Sequence, residues 1–377
     1  MTTLKRLSSL FFALMLLIPL GAPAESISAV TATDAVNESL IIPGTVTTGT
    51  PGSYWETPMD ITDEAAVWAM LTAPITVVKG DQKKQTYLYK EPDKNSERVA
   101  DITFDSQGLH VLETRSDGWT LVEAYSSSFH DSKIKAWNQL TQGYIRTDML
   151  QEKKVSQKYG LVVDKLTQKL YIFEDGKLYD TLEVSTGLVN DKQPYNETRS
   201  GEFLIVSPVG DFVSDNMVGE LALRFNDGDF IHMVPYIKRG DNKNYDYTEK
   251  ALGTRASHGC IRVQRKRTPK GTSMRWLWDT LRKKPHMGSV RVVIWEDVQG
   301  RQLPIPQPDL TLYYNANGGQ NYHAAEVCFG VRDKYLPLKS FTYAELDTGD
   351  YARLTPCPYC FPPKRVAEIE EINAKYR

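Results

Sequence analysis

Four cysteines in 377 residues are far too few for a fold built on disulfides. There is no excess of either charge, since 45 Lys and Arg stand against 47 Asp and Glu. A net charge of −2 gives no electrostatic basis for binding nucleic acid. No internal repeat of solenoid period is visible. Beyond the first twenty residues no stretch is long and apolar enough to span a bilayer. What remains is the composition of a soluble globular protein, 41% hydrophobic and 24% charged. The length suggests two or three domains.

The N-terminus carries an address. Lys5 and Arg6 precede the apolar run Leu10–Leu20, which Pro19 interrupts, and Ala22-Pro23-Ala24 follows as a small-residue cleavage pattern. Residues 1–24 therefore read as a signal peptide with Glu25 as the mature start, an uncleaved anchor being the alternative. No Cys follows the run, so no lipoprotein anchor is indicated. The mature chain is expected outside the cytoplasmic membrane, in the cell wall, extracellular space or periplasm, with no membrane span after cleavage.

Residues 25–72 read as a Thr/Ser/Gly-rich tether ending in a short helix around Asp63–Leu71, which has acidic residues in its first turn. Short alternating segments then recur: Ile75–Val78, Thr86–Tyr89, Val99–Ile102, Leu109–Leu112, Trp119–Val122 and Gly143–Ile145. Turn signals such as Glu91-Pro92-Asp93 and Ser116-Asp117-Gly118 separate them. They predict a small barrel or sandwich over 73–152. A second strand-rich block covers 156–297. Within it Asp175-Gly176 marks a hairpin and Met274–Leu281 a helix. Residues 309–377 form a small appended module.

Chemistry concentrates in Ser257-His258-Gly259-Cys260-Ile261-Arg262. A free thiol, with a pKa of about 8.5, is a nucleophile only once deprotonated, and a nearby His can accept its proton. Gly259 lets the backbone turn tightly or approach a ligand. The amides of such a turn can stabilise an oxyanion. Arg262 can grip a substrate carboxylate through two parallel hydrogen bonds, with Ser257 also on the substrate side. The bland alternative makes Cys260 a small buried hydrophobe and His258 a turn residue.

The hexapeptide resembles the signature of the L,D-transpeptidases, Ser/Thr-His-Gly-Cys followed by an apolar residue and Asn or Arg. Leu161–Gly187 and Thr198–Phe203 also resemble that family's catalytic domain. The resemblance covers about residues 159–295. It implies a mainly β fold with a β-sandwich catalytic domain, and a cysteine acyltransferase acting on peptidoglycan stem peptides. Cys260 would attack the third residue of a stem tetrapeptide, expel the terminal D-alanine, and pass the acyl group to an amine of another stem. The family's base matches His232, oriented by the carbonyl of Met233, which leaves His258 and Gly259 on the oxyanion side. No cofactor is implied for catalysis, and carbapenem β-lactams acylate the family. Two alternatives stay open: water as acceptor, making an L,D-carboxypeptidase or endopeptidase, and a non-catalytic wall-binding protein. The interval Met233–Ala256 is longer than in the family, and its polar stretch Lys238–Asp246 reads as a surface insertion. Leu88–Pro92, Gly118-Trp119 and Gly143–Ile145 resemble a bacterial SH3-like domain, either a wall-binding module or a spacer.

The remaining cysteines pair with a histidine. His323-x4-Cys328 and Cys357-x2-Cys360 make a Cys3His set of the kind zinc accepts. A single disulfide is the alternative that an exported location allows. Zinc would account for all three tail cysteines, whereas one disulfide leaves one over.

Overall fold

The computed structural model describes residues 60–188, 192–214, 216–239, 242–296, 302–328 and 330–374, and the backbone of Val46–Thr47. The signal peptide read over 1–24 lies outside the described residues, as does most of the tether that follows it, of which Val46–Thr47 pairs antiparallel with Leu140–Thr141. The fold is mainly β, and among the described residues no helix is long and apolar enough to cross a membrane.

The central feature is an eleven-stranded sheet folded over on itself. One half runs in the order Gly201–Leu204, Arg291–Trp295, Tyr159–Asp164, Lys169–Glu174, Lys177–Ser185. The other continues through Ile261–Val263, Phe230–Met233, Met217–Arg224, Tyr236–Arg239 and Asn242–Asn244, with Ser207–Ser214 paired to Met217–Arg224. Lys177–Ser185 belongs to both halves, pairing with Lys169–Glu174 along its length and with the Ile261–Val263 strand at Val184 and Ser185. Asp175 and Gly176 both adopt positive φ in the hairpin that opens this strand, which is why an Asp-Gly pair stands there.

Leu161, Val163, Leu170, Ile172, Phe203, Leu223, Ile231, Val263, Val292 and Ile294 meet between the halves, joined by Met274, Leu277 and Leu281 from the helix Met274–Leu281. The intervening residues Val162, Val293 and Trp295 point to the opposite face, and they are buried too. Burial on both faces explains why these strands read as unbroken apolar runs instead of alternating ones. The cover on that second face is the helix Glu64–Thr72, through Val67, Met70 and Leu71. Asp63 caps its N-terminus by accepting from the Ala66 amide at 3.1 Å. At its other end the buried Arg291 guanidinium donates to the carbonyls of Met70, Ala73 (2.7 Å) and Pro74 (2.9 Å). The helix is thus part of the sandwich that the sequence begins only at residue 156.

Residues 75–153 form a second β unit. Its sheet runs Arg98–Thr103, Gln85–Tyr89, Leu140–Arg146, Trp119–Tyr125, His110–Thr114, around Leu88, Ala100, Ile102, Val122 and Ile145. Its entry and exit strands, Ile75–Val78 and Leu150–Lys153, pair antiparallel with each other. The C-terminal module is a four-stranded sheet around Leu312, Tyr322, Phe341 and Leu354. The helix Val366–Ala374 follows, and its Asn373 bonds the backbone of Leu303 in both directions.

The long Met233–Ala256 interval is ordered at both ends. Tyr236–Arg239 and Asn242–Asn244 pair as a hairpin, with Gly240 and Asp241 outside the described residues. The helical turn Asp246–Glu249 is then tied down by Thr248 Oγ1 donating to the Pro235 carbonyl at 2.6 Å.

Candidate active site

Cys260 closes a turn that backbone and buried side chains fix together. The amides of Ala256 and Ser257 both donate to the Thr186 carbonyl (2.8 and 2.9 Å), and Leu188 N–H donates to the Ser257 carbonyl at 2.9 Å. Ser257, expected on the substrate side, is buried and braces the turn. Its hydroxyl donates to the Cys260 carbonyl at 2.5 Å and accepts from the Gly259 amide at 3.2 Å. That bond also occupies the Gly259 amide, one of the expected oxyanion donors. Thr198 Oγ1 adds a third tie, accepting from Gly187 N–H and donating to the Gly259 carbonyl, each at 2.8 Å. Gly259 has φ +124°, and a Cβ there would lie 2.5 Å from Asp229 Oδ1, so no other residue fits.

The strand Phe230–Met233 runs parallel to Ile261–Val263, with Ile231 opposite Ile261, His232 opposite Arg262 and Met233 opposite Val263. Opposed residues share a face, so His232 and Arg262 lie on one side of the sheet, and Cys260 immediately precedes the Ile261–Val263 strand. A hydrogen bond from the Phe230 backbone reaches the Cys260 sulfur. The His232 ring is buried, edge-on to Phe212 with centroids 5.0 Å apart. Its Nδ1 lies 2.7 Å from the Met233 carbonyl oxygen. A carbonyl only accepts, so Nδ1 carries the proton, and the lone pair is left on Nε2.

Burial governs the charge states here. It pushes His232 from its ordinary 6.5 down to about 3, against the Met233 hydrogen bond and helped by Arg262. It likewise pushes the Cys260 thiol up to about 12, with the Asp229 carboxylate adding to the rise and Arg262 and Arg199 opposing it. Both shifts favour the neutral forms, thiol and imidazole. Stability should respond to pH accordingly. As pH falls below about 6.5, an unfolded histidine takes up the proton that folded His232 refuses until about 3, so stability is lost through that window. His110, lowered to about 4 by burial, acts in the same direction. Above about 9 the unfolded thiol ionises while folded Cys260 keeps its proton to about 12, and stability declines again. Urea midpoints at pH 4, 7 and 10 check this. The H232Q variant should flatten the acid limb, and an unchanged limb would assign it to other groups.

Arg262 is 7% exposed, with Nη1 donating to the Ala256 carbonyl at 2.9 Å. One arm of the expected carboxylate clamp is thus holding the turn. His258 is exposed, and with Phe129, His130, Asp131, Tyr195 and Asn196 it borders a shallow pocket of about 300 Å³.

Three residues with a part in this site were given no role from the sequence. Buried Arg199 pairs with buried Asp229 at 3.4 Å behind Gly259 and donates to the Ser128 carbonyl at 2.5 Å. Its guanidinium also stacks 4.1 Å from the Phe129 ring, so the N-terminal β unit reaches the back of the Ser257–Cys260 turn. Arg224 is the third, interacting with Cys260 so that it would favour a thiolate there. A buried Arg–Asp pair looks no different from a surface pair in one sequence. Only the presence of Asp229 and Arg199 inside segments already singled out hinted at them.

Residues 158–294 match the family model of the YkuD L,D-transpeptidase catalytic domain. Among solved structures, similar chains include an L,D-transpeptidase from Xylanimonas cellulosilytica, at 22% identity over 38% of this chain and 64% of that one, with a TM-score of 0.27. L,D-transpeptidases from Mycobacterium smegmatis (14% identity, 60% of this chain, 92% of that one, TM-score 0.29) and Mycobacterium tuberculosis (15%, 63%, 86%, 0.29) are similar as well. The chain thus spans just under two thirds of the Xylanimonas structure. The family match carries the assignment of this region, and the structural likenesses at these scores add nothing to it. No curated protein matches the sequence.

The C-terminal module holds a second cluster. One ligand atom each from His323, Cys328, Cys357 and Cys360 lies within 4.8 Å of the other three, a group able to hold a metal ion.

Proposed function

We propose that this chain is an exported L,D-transpeptidase that cross-links or remodels peptidoglycan through a Cys260 acyl-enzyme. The observation that carries the reading is His232, whose Nε2 lone pair is left available by the Nδ1–Met233 bond, on the strand whose Phe230 backbone bonds the Cys260 sulfur. In the first step Cys260 sulfur attacks the carbonyl carbon of the third stem residue as its proton passes to His232 Nε2. Collapse of the tetrahedral intermediate breaks the amide bond, and His232 returns the proton to the departing D-alanine amine. An amine of a second stem then attacks the thioester, loses a proton to His232 and releases Cys260 as thiol. Because both resting groups are neutral, the base acts during attack and not by storing a thiolate beforehand. The surrounding guanidiniums of Arg199, Arg224 and Arg262 favour the negative charge that develops at that moment.

Nothing in these steps uses a cofactor, and a zinc ion among the tail ligands would serve the fold alone. The N-terminal β unit we take as the SH3-like domain acting as a positioning element, since its Ser128 and Phe129 pack on Arg199. The test is incubation of the pure protein with tetrapeptide stems and mass identification of products. A cross-linked dimer with release of D-alanine is expected. Tripeptide alone would make water the acceptor, and intact stems would end the enzymatic reading.

A further inference from the structure

We propose that His323, Cys328, Cys357 and Cys360 bind one zinc ion, and that this ion locks the C-terminal module against the catalytic sheet. Only the labelling control in its test rests on the transpeptidase reading; the inference itself does not. A tetrahedral zinc with sulfur ligands at about 2.3 Å and nitrogen at about 2.0 Å has S···S edges of about 3.8 Å and S···N edges of about 3.5 Å. The Cys328 and Cys357 sulfurs lie 3.8 Å apart, and Cys360 sulfur lies 3.6 Å from His323 Nδ1. A disulfide needs about 2.05 Å, and all three cysteines are free thiols. The ligands converge while no bond joins them.

The surroundings suit a metal thiolate. Cys328, Cys357 and His323 are buried, and the Ala324 amide donates to Cys360 sulfur at 3.3 Å, the kind of support that fixes a thiolate ligand. The ligands come from four separate places: the end of the Asn321–His323 strand, the loop after it, and both ends of the Cys357–Cys360 knuckle. Around them the local apolar cluster is small, made of Leu338 with Tyr313, Val331, Leu336 and Tyr359. Ion binding would replace core that this loop lacks, releasing the protons of three thiols as the zinc–sulfur bonds form.

The same knuckle touches the catalytic domain. Tyr359, between two of the ligands, lies under Lys266 Nζ at 2.8 Å, and Phe361 lies 5.7 Å from Lys169 Nζ. Lys266 stands three residues past Val263, the end of the strand that follows Cys260, and it pairs with Glu249 at 3.8 Å. Lys169 in turn pairs with Glu183. Fixing the knuckle therefore fixes a contact on the outer face of the catalytic sheet.

Elemental analysis of full-length protein purified without chelator should give one zinc per chain. Cobalt(II) exchanged into the site should show the intense visible bands of a tetrahedral thiolate centre. H323A should lose the metal and H323C should keep it, which separates ligation from mere folding. Stripping the zinc should speed proteolysis of 302–374 at least tenfold and leave carbapenem labelling of Cys260 within about twofold. Absence of stoichiometric zinc even after reconstitution, or a mass lower by two hydrogens, would refute the site. Unchanged proteolysis of the stripped protein would refute the lock.

Discussion

Replacing Cys260 with Ala should abolish covalent labelling by a carbapenem and acyl-enzyme formation with stem peptides, to below detection by intact mass. Removal of the nucleophile leaves no second route, because the other three cysteines are gathered in the C-terminal module. The fold should survive. The turn is held by the Thr186, Ser257 and Thr198 bonds, none of which uses the Cys260 side chain. Circular dichroism and urea midpoints close to those of the parent would establish that. A labelled C260A protein would remove Cys260 from the mechanism and require another nucleophile.

His232→Gln should lower kcat by about 10²–10⁴, with KM changed far less, as expected for loss of a general base. Glutamine can still offer an N–H to the Met233 carbonyl, but it cannot take up a proton, so position and basicity are separated. The charge states add a second readout. With the thiol held up to about 12 it is protonated at neutral pH, and alkylation by iodoacetamide should be slow in the parent protein. A fast alkylation that H232Q slows sharply would instead indicate a resting thiolate–imidazolium pair. Equal kcat in parent and variant would move the base role elsewhere.

The candidate site was far more legible in the sequence than its supports. Ser257–Arg262 stood out because six residue types in order are hard to reach by packing alone. The strands around Asp175-Gly176 were legible because a turn needing positive φ leaves a local signature. The tail ligands were readable as a spacing, although spacing does not say whether four side chains converge, and convergence is what the fold adds. What could not be read depends on long-range packing. The helix Glu64–Thr72 looked like the end of a tether, since nothing in its own composition says that Val162, Val293 and Trp295 need a cover. Ser257 and Arg262 looked like substrate contacts because their types suit that task. Their bonds to Cys260 and Ala256 were invisible without the turn.

The helix Glu64–Thr72 lies on one side of the 75–153 unit in sequence and the catalytic strands on the other, yet they share one core. The β unit is therefore an insertion within the catalytic body and not a bead strung ahead of it. It hangs from two covalent arms, and these arms are zipped together as Ile75–Val78 against Leu150–Lys153. A single-chain linker would let such a unit swivel and sweep out a sphere. A paired ribbon rooted in Ile75, Val77, Val155 and Leu204 transmits torque instead. Whatever surface the unit touches, Cys260 would stand at a set height and bearing from it, so its reach is a fixed gauge and not a search radius.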